Sequence, residues 1–120
     1  MNIEDIEERY YNNIETTDEE IAALESYIVD KLEKREEIND TEINFMSEMW
    51  CEKDRKFIGE GRHGWVLYEY VVEAPNGKHY RFEIYCHDDY GWDSDDYSQV
   101  CPEVELKKVV VEQWVDKEVG

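Results

Sequence analysis

The residues of this chain whose types and spacing are suited to chemistry lie in segment 87–97, where carboxylates alternate with large aromatic rings. The carboxylates are Asp88, Asp89, Asp93, Asp95 and Asp96, and the rings are Tyr90, Trp92 and Tyr97. Carboxylates pair with arginine or lysine of a partner, and aromatic rings stack on guanidinium groups or supply buried anchor area. This composition predicts a protein-binding loop between two strands. The alternative is a solvated hairpin loop whose rings fold back onto the sheet.

A second set of acids lies on the predicted N-terminal helices, at positions four residues apart. The pairs are Glu4 with Glu8 and Glu15 with Glu19. On a helix, such carboxylates are about 6 Å apart along the axis, which approximates the spacing of charge along a nucleic-acid strand. Like charges at this spacing slightly destabilise a helix, so we interpret them as a surface for a basic partner. The alternative is an ordinary solvated helix face.

Both sets belong to a chain with a formal net charge of −19, from 32 acidic and 13 basic residues among 120. The excess is concentrated in two zones. Residues 1–30 carry ten acids and one base, and residues 82–106 carry eight acids and no lysine or arginine. Such a surface repels nucleic acid and anionic membranes and attracts basic proteins at long range. We therefore expect a basic nucleic-acid-binding protein as the partner, with no direct binding to nucleic acid or membrane.

Motifs for catalysis, metals or cofactors are weak. Four side chains are of types that bind zinc: Cys51, Cys86, His87 and Cys101. They show no CxxC or HxxxH spacing. Residues 93–96 resemble part of a calcium loop but lack the glycine and glutamate that its geometry requires. Residues 59–64 contain GxG before a strand and are predicted to be a turn. Since no nucleophile–base arrangement is visible, we expect that the chain is not an enzyme and that it binds no cofactor or metal.

Composition indicates a folded chain. Hydrophobic residues make up 41% of the chain and aromatic residues 13%. Disordered acidic segments contain fewer hydrophobic and aromatic residues than this. No apolar run approaches the ~18 residues of a transmembrane helix, and the acidic N-terminus lacks the features of a signal peptide. Three cysteines without a disulfide-framework spacing indicate reduced thiols. We expect a cytoplasmic protein with a single domain over residues 1–120.

The elements that position these residues follow from hydrophobic periodicity. Up to about residue 57, apolar residues recur at spacings of three and four, which predicts helices. The first helix is short and carries Ile3, Ile6, Tyr10 and Ile14. The second is predicted over 18–37, where Thr17 and Glu20 fit a capping box at its start. A third helix is predicted over 41–55.

From residue 65 the apolar period changes to two, which predicts strands. The three predicted strands are residues 65–73, 78–86 and 104–115. Asn76 and Gly77 form the strongest short hairpin signal, between the first two strands. Three strands with one apolar face need a cover, and the helices can supply it. The predicted fold is α+β, with about three N-terminal helices (1–57) packed with a three-stranded antiparallel β-meander (65–116).

Several features of the C-terminal half occur together: strand 65–73 with its Asn-Gly turn, the acidic segment 95–97, the segment 105–111 and Trp114. In these features the half resembles small acidic proteins carried by phages of low-GC bacteria. In size and charge, the whole chain also resembles phage anti-defence proteins, including anti-CRISPR proteins and DNA mimics. This resemblance implies binding to a nuclease at its basic DNA-binding surface, and it transfers no catalytic residue.

The leading hypothesis is a stoichiometric inhibitor, acting in the host cytoplasm, that occupies the basic nucleic-acid channel of a defence nuclease and competes with DNA. A CRISPR effector is the favoured target, because such effectors hold their heteroduplex in a basic channel. One alternative is a small structural or regulatory phage protein that self-assembles, for example as a homodimer, through the helical seam of Ile21, Leu24, Ile28 and Leu32. Another is a ligand-sequestering protein.

Overall fold

The computed structural model describes residues 2–93, 98–107, 112 and 114–117, with Trp92 and Asp93 described by their backbone alone. The helices within these residues are α1 (Ile3–Tyr11), α2 (Asp18–Glu33) and α3 (Asp40–Met49). The strands are β1 (Glu37–Ile38), β2 (Cys51–Glu60), β3 (Val66–Glu73), β4 (His79–His87), β5 (Gly91–Asp93), β6 (Gln99–Val100) and β7 (Glu103–Val104). The fold is α+β, which confirms the predicted class. Within these described ranges, no helix has the length and apolar character to cross a membrane.

Side-chain caps set where each helix begins. Asn2 accepts a backbone N–H from the first turn of α1. The predicted capping box of α2 is present: Glu20 N–H donates to Thr17 Oγ1 at 3.2 Å, and Thr17 N–H donates to Glu20 Oε1 at 3.0 Å. Asn39 and Glu42 form a second capping box at the start of α3. Each box satisfies two backbone donors that a helix start leaves unpaired, so short sequence motifs fix these starts.

The ends of α1 and α2 were not foreseen, because each uses a left-handed residue other than glycine. Asn13 follows α1 with φ 57°, and Arg35 follows α2 with φ 58°. At both ends the next backbone N–H reaches back five residues, Ile14 to Arg9 at 2.8 Å and Glu36 to Lys31 at 2.9 Å. These are Schellman closures. They end α2 at Glu33, before the predicted residue 37, and leave Ile14 outside α1 with 53% of its surface exposed.

The larger sheet is antiparallel in the order β2-β3-β4-β5, with β7 also paired to β4. Its central ladder places Tyr70 of β3 between Arg55 of β2 and Phe82 of β4. A smaller two-stranded sheet joins β1 to β6. The predicted strands 65–73 and 78–86 are therefore confirmed as β3 and β4, with a turn at Gly77, where φ is 80°.

Strand β2 corrects the prediction of a helix over 41–55 and of a helical segment up to residue 57. The helix ends at Met49, and Trp50 takes an extended conformation with φ −99° and ψ 158°. From Cys51 the chain pairs with β3 over ten residues, with bulges near Lys53 and Ile58. This ladder is a long-range contact, which the local periodicity of residues 51–55 does not reveal. The meander is thus β2-β3-β4, built one strand earlier in the chain than predicted.

The predicted third strand, 104–115, is confirmed only at its start. Glu103 and Val104 form β7 and pair with the beginning of β4, at Tyr80 and His79. Residues 105–107 and 114–117 lie outside any strand. The remainder of this prediction, 108–111 and 113, lies outside the described residues.

One hydrophobic core joins the helices to the sheet. The helices and the residue after α3 contribute Ile6, Leu24, Ile28, Leu32, Ile43, Phe45, Met46 and Trp50, and the large sheet contributes Tyr70, Val72, Tyr80, Phe82 and Ile84. Three residues of the proposed self-assembly seam, Leu24, Ile28 and Leu32, are buried in this core. These three residues therefore stabilise the chain's own fold, and Ile21 is partly buried against the same core.

Candidate functional site

A shallow acidic groove lies between α1 and the start of α3. It has a volume of about 310 Å³ and is lined by Glu4, Glu7, Glu8, Tyr11, Asp40 and Thr41. Glu4, Glu8 and Tyr11 are one helical turn apart and share a face of α1. Glu4 and Glu8 are exposed and have no ion-pair partner among the described residues. The structure therefore brings the predicted pair together with a carboxylate of a second helix, Asp40.

Beneath this groove the carboxyl groups of Glu7 and Glu42 meet. Glu42 is 1% exposed, and its Oε2 and Glu7 Oε1 are both buried without a hydrogen-bond donor from the protein. Two carboxylates cannot hydrogen-bond each other unless one carries a proton. Burial first, and then the hydrogen bond to Glu42, raise the pKa of Glu7 to about 8. At neutral pH, Glu7 therefore holds the proton that joins α1 to α3.

Lys31 of α2 completes this buried group. Its Nζ lies 2.6 Å from Glu42 Oε1, which also accepts the backbone N–H of Asn39 at 2.9 Å. Burial alone would lower the pKa of Lys31, but the hydrogen bond and attraction to Glu42 outweigh it and raise that pKa. One cation is thus shared by two carboxyl groups. The second negative charge is avoided by protonation of Glu7.

Arg9 is the only base in residues 1–30, and the fold uses it internally. Its guanidinium bonds Glu20 of α2 through two nitrogens and lies 3.1 Å from Asp5. The hydrogen bond from Arg9, followed by that from the Thr17 backbone, lowers the pKa of Glu20 to about 2. Arg9 therefore fixes α1 against α2, and among the described residues it forms no ion pair with Glu4 or Glu8.

The predicted pair of Glu15 and Glu19 does not have the proposed geometry. Glu15 lies in the loop between α1 and α2, and Glu19 lies in the first turn of α2. Because Asn13 ends α1 and Thr17 caps α2, no helix connects them. Both side chains are exposed. They add to the charge of this end of the molecule, but the helical spacing argument applies only to Glu4 and Glu8.

A second acidic groove, which the sequence analysis missed, lies between α2 and the β3–β4 turn. It has a volume of about 360 Å³ and is lined by Glu25, Ser26, Val29, Asp30, Glu33, Pro75 and Asn76. Glu25 accepts a hydrogen bond from the Trp50 indole at 3.0 Å, and Glu33 accepts one from Asn76 at 3.1 Å. Neutral donors thus hold both carboxylates in place. Nothing local in the sequence indicates that the hairpin turn meets α2.

At the opposite end of β3, three rings form a cluster that we call the aromatic tip: Trp65, His87 and Tyr90. The centroid of His87 lies 5.2 Å from that of Trp65 and 4.8 Å from that of Tyr90. Trp65 and Tyr90 are nearly parallel, with an angle of 17° and a centroid distance of 6.2 Å. Trp65 precedes β3, and His87 ends β4, so the β3–β4 pairing brings them together.

His87 connects two turns through hydrogen bonds. Its Nδ1 accepts the backbone N–H of Asp89 at 3.0 Å, and its Nε2 lies 2.9 Å from the carbonyl oxygen of His63. Since Nδ1 accepts, Nε2–H is the group that donates to the carbonyl oxygen of His63. The ring fits because Gly64 has φ 85° and no side chain; a Cβ there would lie 3.0 Å from Nε2. The sequence analysis considered this histidine only among the side chains of zinc-binding type.

The predicted binding segment 87–97 is a tight hairpin at its start and not one long loop. Asp88, Asp89 and Tyr90 form the turn after β4 and are exposed. Trp92 and Asp93 lie in β5, where their backbones pair with Cys86 and Tyr85. Three further predicted contact residues, Asp95, Asp96 and Tyr97, lie outside the described residues.

The three cysteines lie in different environments. Cys51 is exposed on β2, Cys86 is partly exposed on β4, and Cys101 is buried. Burial, reinforced by the charge of Glu42, raises the pKa of the Cys101 thiol to about 12. Across the described ranges, no three His, Cys, Asp or Glu side chains gather in a way that can hold a metal ion.

Comparisons of this chain with protein-family models, with curated proteins and with solved structures found no match.

Proposed function

We propose that this chain is an acidic phage-type inhibitor that binds the basic nucleic-acid-binding surface of a host defence nuclease and competes with DNA, with a CRISPR effector as the favoured target. The observation that most directly supports the proposal is that Arg9 forms its ion pairs within the fold. The single base of residues 1–30 is paired with Asp5 and Glu20, so Glu4 and Glu8 face solvent without a neutralising partner. A folded chain that retains this surface presents ordered negative charge.

The geometry of the α1–α3 groove supports the same proposal. Glu4 and Glu8 on α1 and Asp40 at the start of α3 line one depression. A lysine or arginine side chain that enters it meets carboxylates from two helices. Helix packing and the Glu7–Glu42 contact fix these helices relative to each other. Preorganised charge loses less free energy on binding than charge on a flexible tail.

This surface also predicts how the complex forms. Attraction between the acidic chain and a basic channel accelerates association at low ionic strength. At physiological salt the screening length is about 8 Å, so the distant charges contribute little and the groove contacts decide the affinity. The inhibition should therefore weaken as salt is raised, in parallel with the weakening of DNA binding by the nuclease.

The test compares two double variants with the same net charge in cleavage assays on a panel of purified CRISPR effectors and other defence nucleases. Glu4→Gln with Glu8→Gln removes charge from the groove. Glu60→Gln with Glu83→Gln, the control, removes it from exposed positions of the sheet. We expect the groove variant to inhibit about fivefold less well, because two exposed pairs at about 0.5 kcal/mol each contribute about 1 kcal/mol together. The control should stay within about twofold.

Two results would contradict the proposal. If the wild-type chain neither inhibits any nuclease of the panel nor displaces labelled DNA from one, the function is wrong. If both double variants lose inhibition equally, overall charge acts alone and the groove is not the contact surface.

A further inference from the structure

The aromatic tip is exposed and yet held in place. Tyr90 is 76% exposed, although its ring contacts those of His87 and Trp65. The two hydrogen bonds of His87 connect the turn before β3 to the turn after β4. An exposed aromatic side chain whose position is already fixed loses little conformational freedom on binding. This property is typical of anchor residues in protein interfaces.

Carboxylates flank these rings. Asp88 and Asp89 are exposed, and neither has an ion-pair partner within the part of the chain that the structure describes. The backbone N–H of Asp89 is held by His87, which fixes this residue beside the ring cluster. Ring faces next to unneutralised carboxylates attract a cation, because both the ring quadrupole and the carboxylate favour positive charge.

The chemistry of the tip favours arginine over lysine. A guanidinium is planar, so it can stack on a tyrosine ring and donate two parallel hydrogen bonds to one carboxylate. An ammonium group is a compact, strongly hydrated charge that can do neither. The acidic groove on α1, in contrast, offers carboxylates with a single ring, that of Tyr11, and attracts both cations mainly by charge.

We propose that the aromatic tip binds an arginine side chain of the basic partner, with the guanidinium stacked on Tyr90 and paired with Asp88 or Asp89. The inference rests on the proposed function for the existence of that partner. It adds a residue preference that net charge does not supply. The α1–α3 groove then supplies charge attraction, and the tip recognises the residue type.

The test uses the intact ¹⁵N-labelled chain and two peptides that alternate glycine with arginine or with lysine, equal in length and charge. Nuclear magnetic resonance titrations follow the backbone amides of residues 63–65 and 88–91. We expect the arginine peptide to shift these amides and to bind there about fivefold more tightly than the lysine peptide, because a planar guanidinium stacks on the ring and an ammonium group does not.

Three variants assign this preference to the ring. Tyr90→Ala should reduce the ratio of the two affinities to about one, whereas Tyr90→Phe, which keeps the ring face, should retain it. Tyr11→Ala is the matched control. Tyr11 is 61% exposed and lies beside the carboxylates of the α1–α3 groove, so its loss should leave the arginine preference at residues 88–91 unchanged.

The outcomes separate this inference from the proposed function. Equal affinities for both peptides, or a preference that survives Tyr90→Ala, would overturn the role of the tip even if the nuclease assay succeeds. Shifts at residues 88–91 that grow with protein concentration alone would also overturn it, because a second copy would then occupy the tip. An arginine preference at the tip without inhibition of any nuclease would support the tip chemistry and reject the proposed function.

Discussion

The proton shared by Glu7 and Glu42 makes the stability of this fold depend on pH in an unusual direction. The pKa of Glu7 is about 8 in the folded chain, against an ordinary value of 4.5. Below pH 4.5 both the folded and the unfolded chain hold this proton, and the stabilisation is complete. Between pH 4.5 and 8 only the folded chain holds it, so the free energy of unfolding falls as pH rises. Above pH 8 the contribution is lost.

The size of the effect follows from the two pKa values. Their difference sets an upper limit of about 5 kcal/mol, at about 1.4 kcal/mol for each tenfold change in proton affinity. Solvent reaches part of the Glu7 side chain and reduces this figure, so we expect a loss of about 2 kcal/mol. Glu7→Gln should remove it, because an amide N–H replaces the shared proton as donor to Glu42 and does not titrate.

The assay is urea unfolding followed by fluorescence of the four tryptophans, repeated between pH 5 and 8.5. The wild-type chain should lose about 2 kcal/mol over this range relative to Glu7→Gln. Glu8→Gln, which removes a charge from the solvent face of the same helix, should keep the wild-type slope. If wild type and Glu7→Gln show parallel pH profiles, the two carboxyls do not share a proton and the reasoning is refuted.

Three further predictions concern single residues. Gly64→Ala should destabilise the fold by about 1–3 kcal/mol in the same urea assay, because φ is 85° and a Cβ would contact the His87 ring. Gly59→Ala is the control, because no atom lies within 4 Å of a Cβ there. Equal losses of stability in the two variants would contradict the contact with His87. Thr17→Ala should cost about 1 kcal/mol through the lost cap, whereas Thr16→Ala should be near neutral. In thiol labelling of the native chain, the exposed Cys51 should react first. The buried Cys101, whose thiol pKa is about 12, should react only on unfolding. Rapid labelling of Cys101 in a folded Cys51→Ser variant would contradict this order.

Local sequence patterns predicted the elements whose determinants are local. The Thr17 and Glu20 capping box lies within four residues, and the hairpin at Gly77 needs only its own turn, so both were found. Strand β2 was missed because β3, the strand with which it pairs, is reached through a turn that begins after Glu60. The left-handed closures at Asn13 and Arg35 were missed because they lack the glycine that usually marks such an end.

The candidate sites divide in the same way. Glu4 and Glu8 were found because both lie on one helix, and helical spacing places them on one face. Glu7 and Glu42 are 35 positions apart in the sequence, and only the packing of α1 on α3 shows that they meet. The sequence placed Trp65 in a strand but did not show its contact with His87, because that contact depends on the register of β3 against β4. Identifying these contacts requires the tertiary structure.

The buried proton and the exposed charges of α1 are parts of one electrostatic arrangement. Glu4, Glu8 and Asp40 line the same groove as Glu7, but the raised pKa of Glu7 comes from burial and from Glu42. Protonation of Glu7 removes one negative charge without loss of the exposed carboxylates of Glu4 and Glu8. A chain with a net charge of −19 is under strain from its own repulsion. Here the repulsion is reduced at the Glu7–Glu42 contact, and Glu4 and Glu8 stay exposed on the surface that we propose for a basic partner.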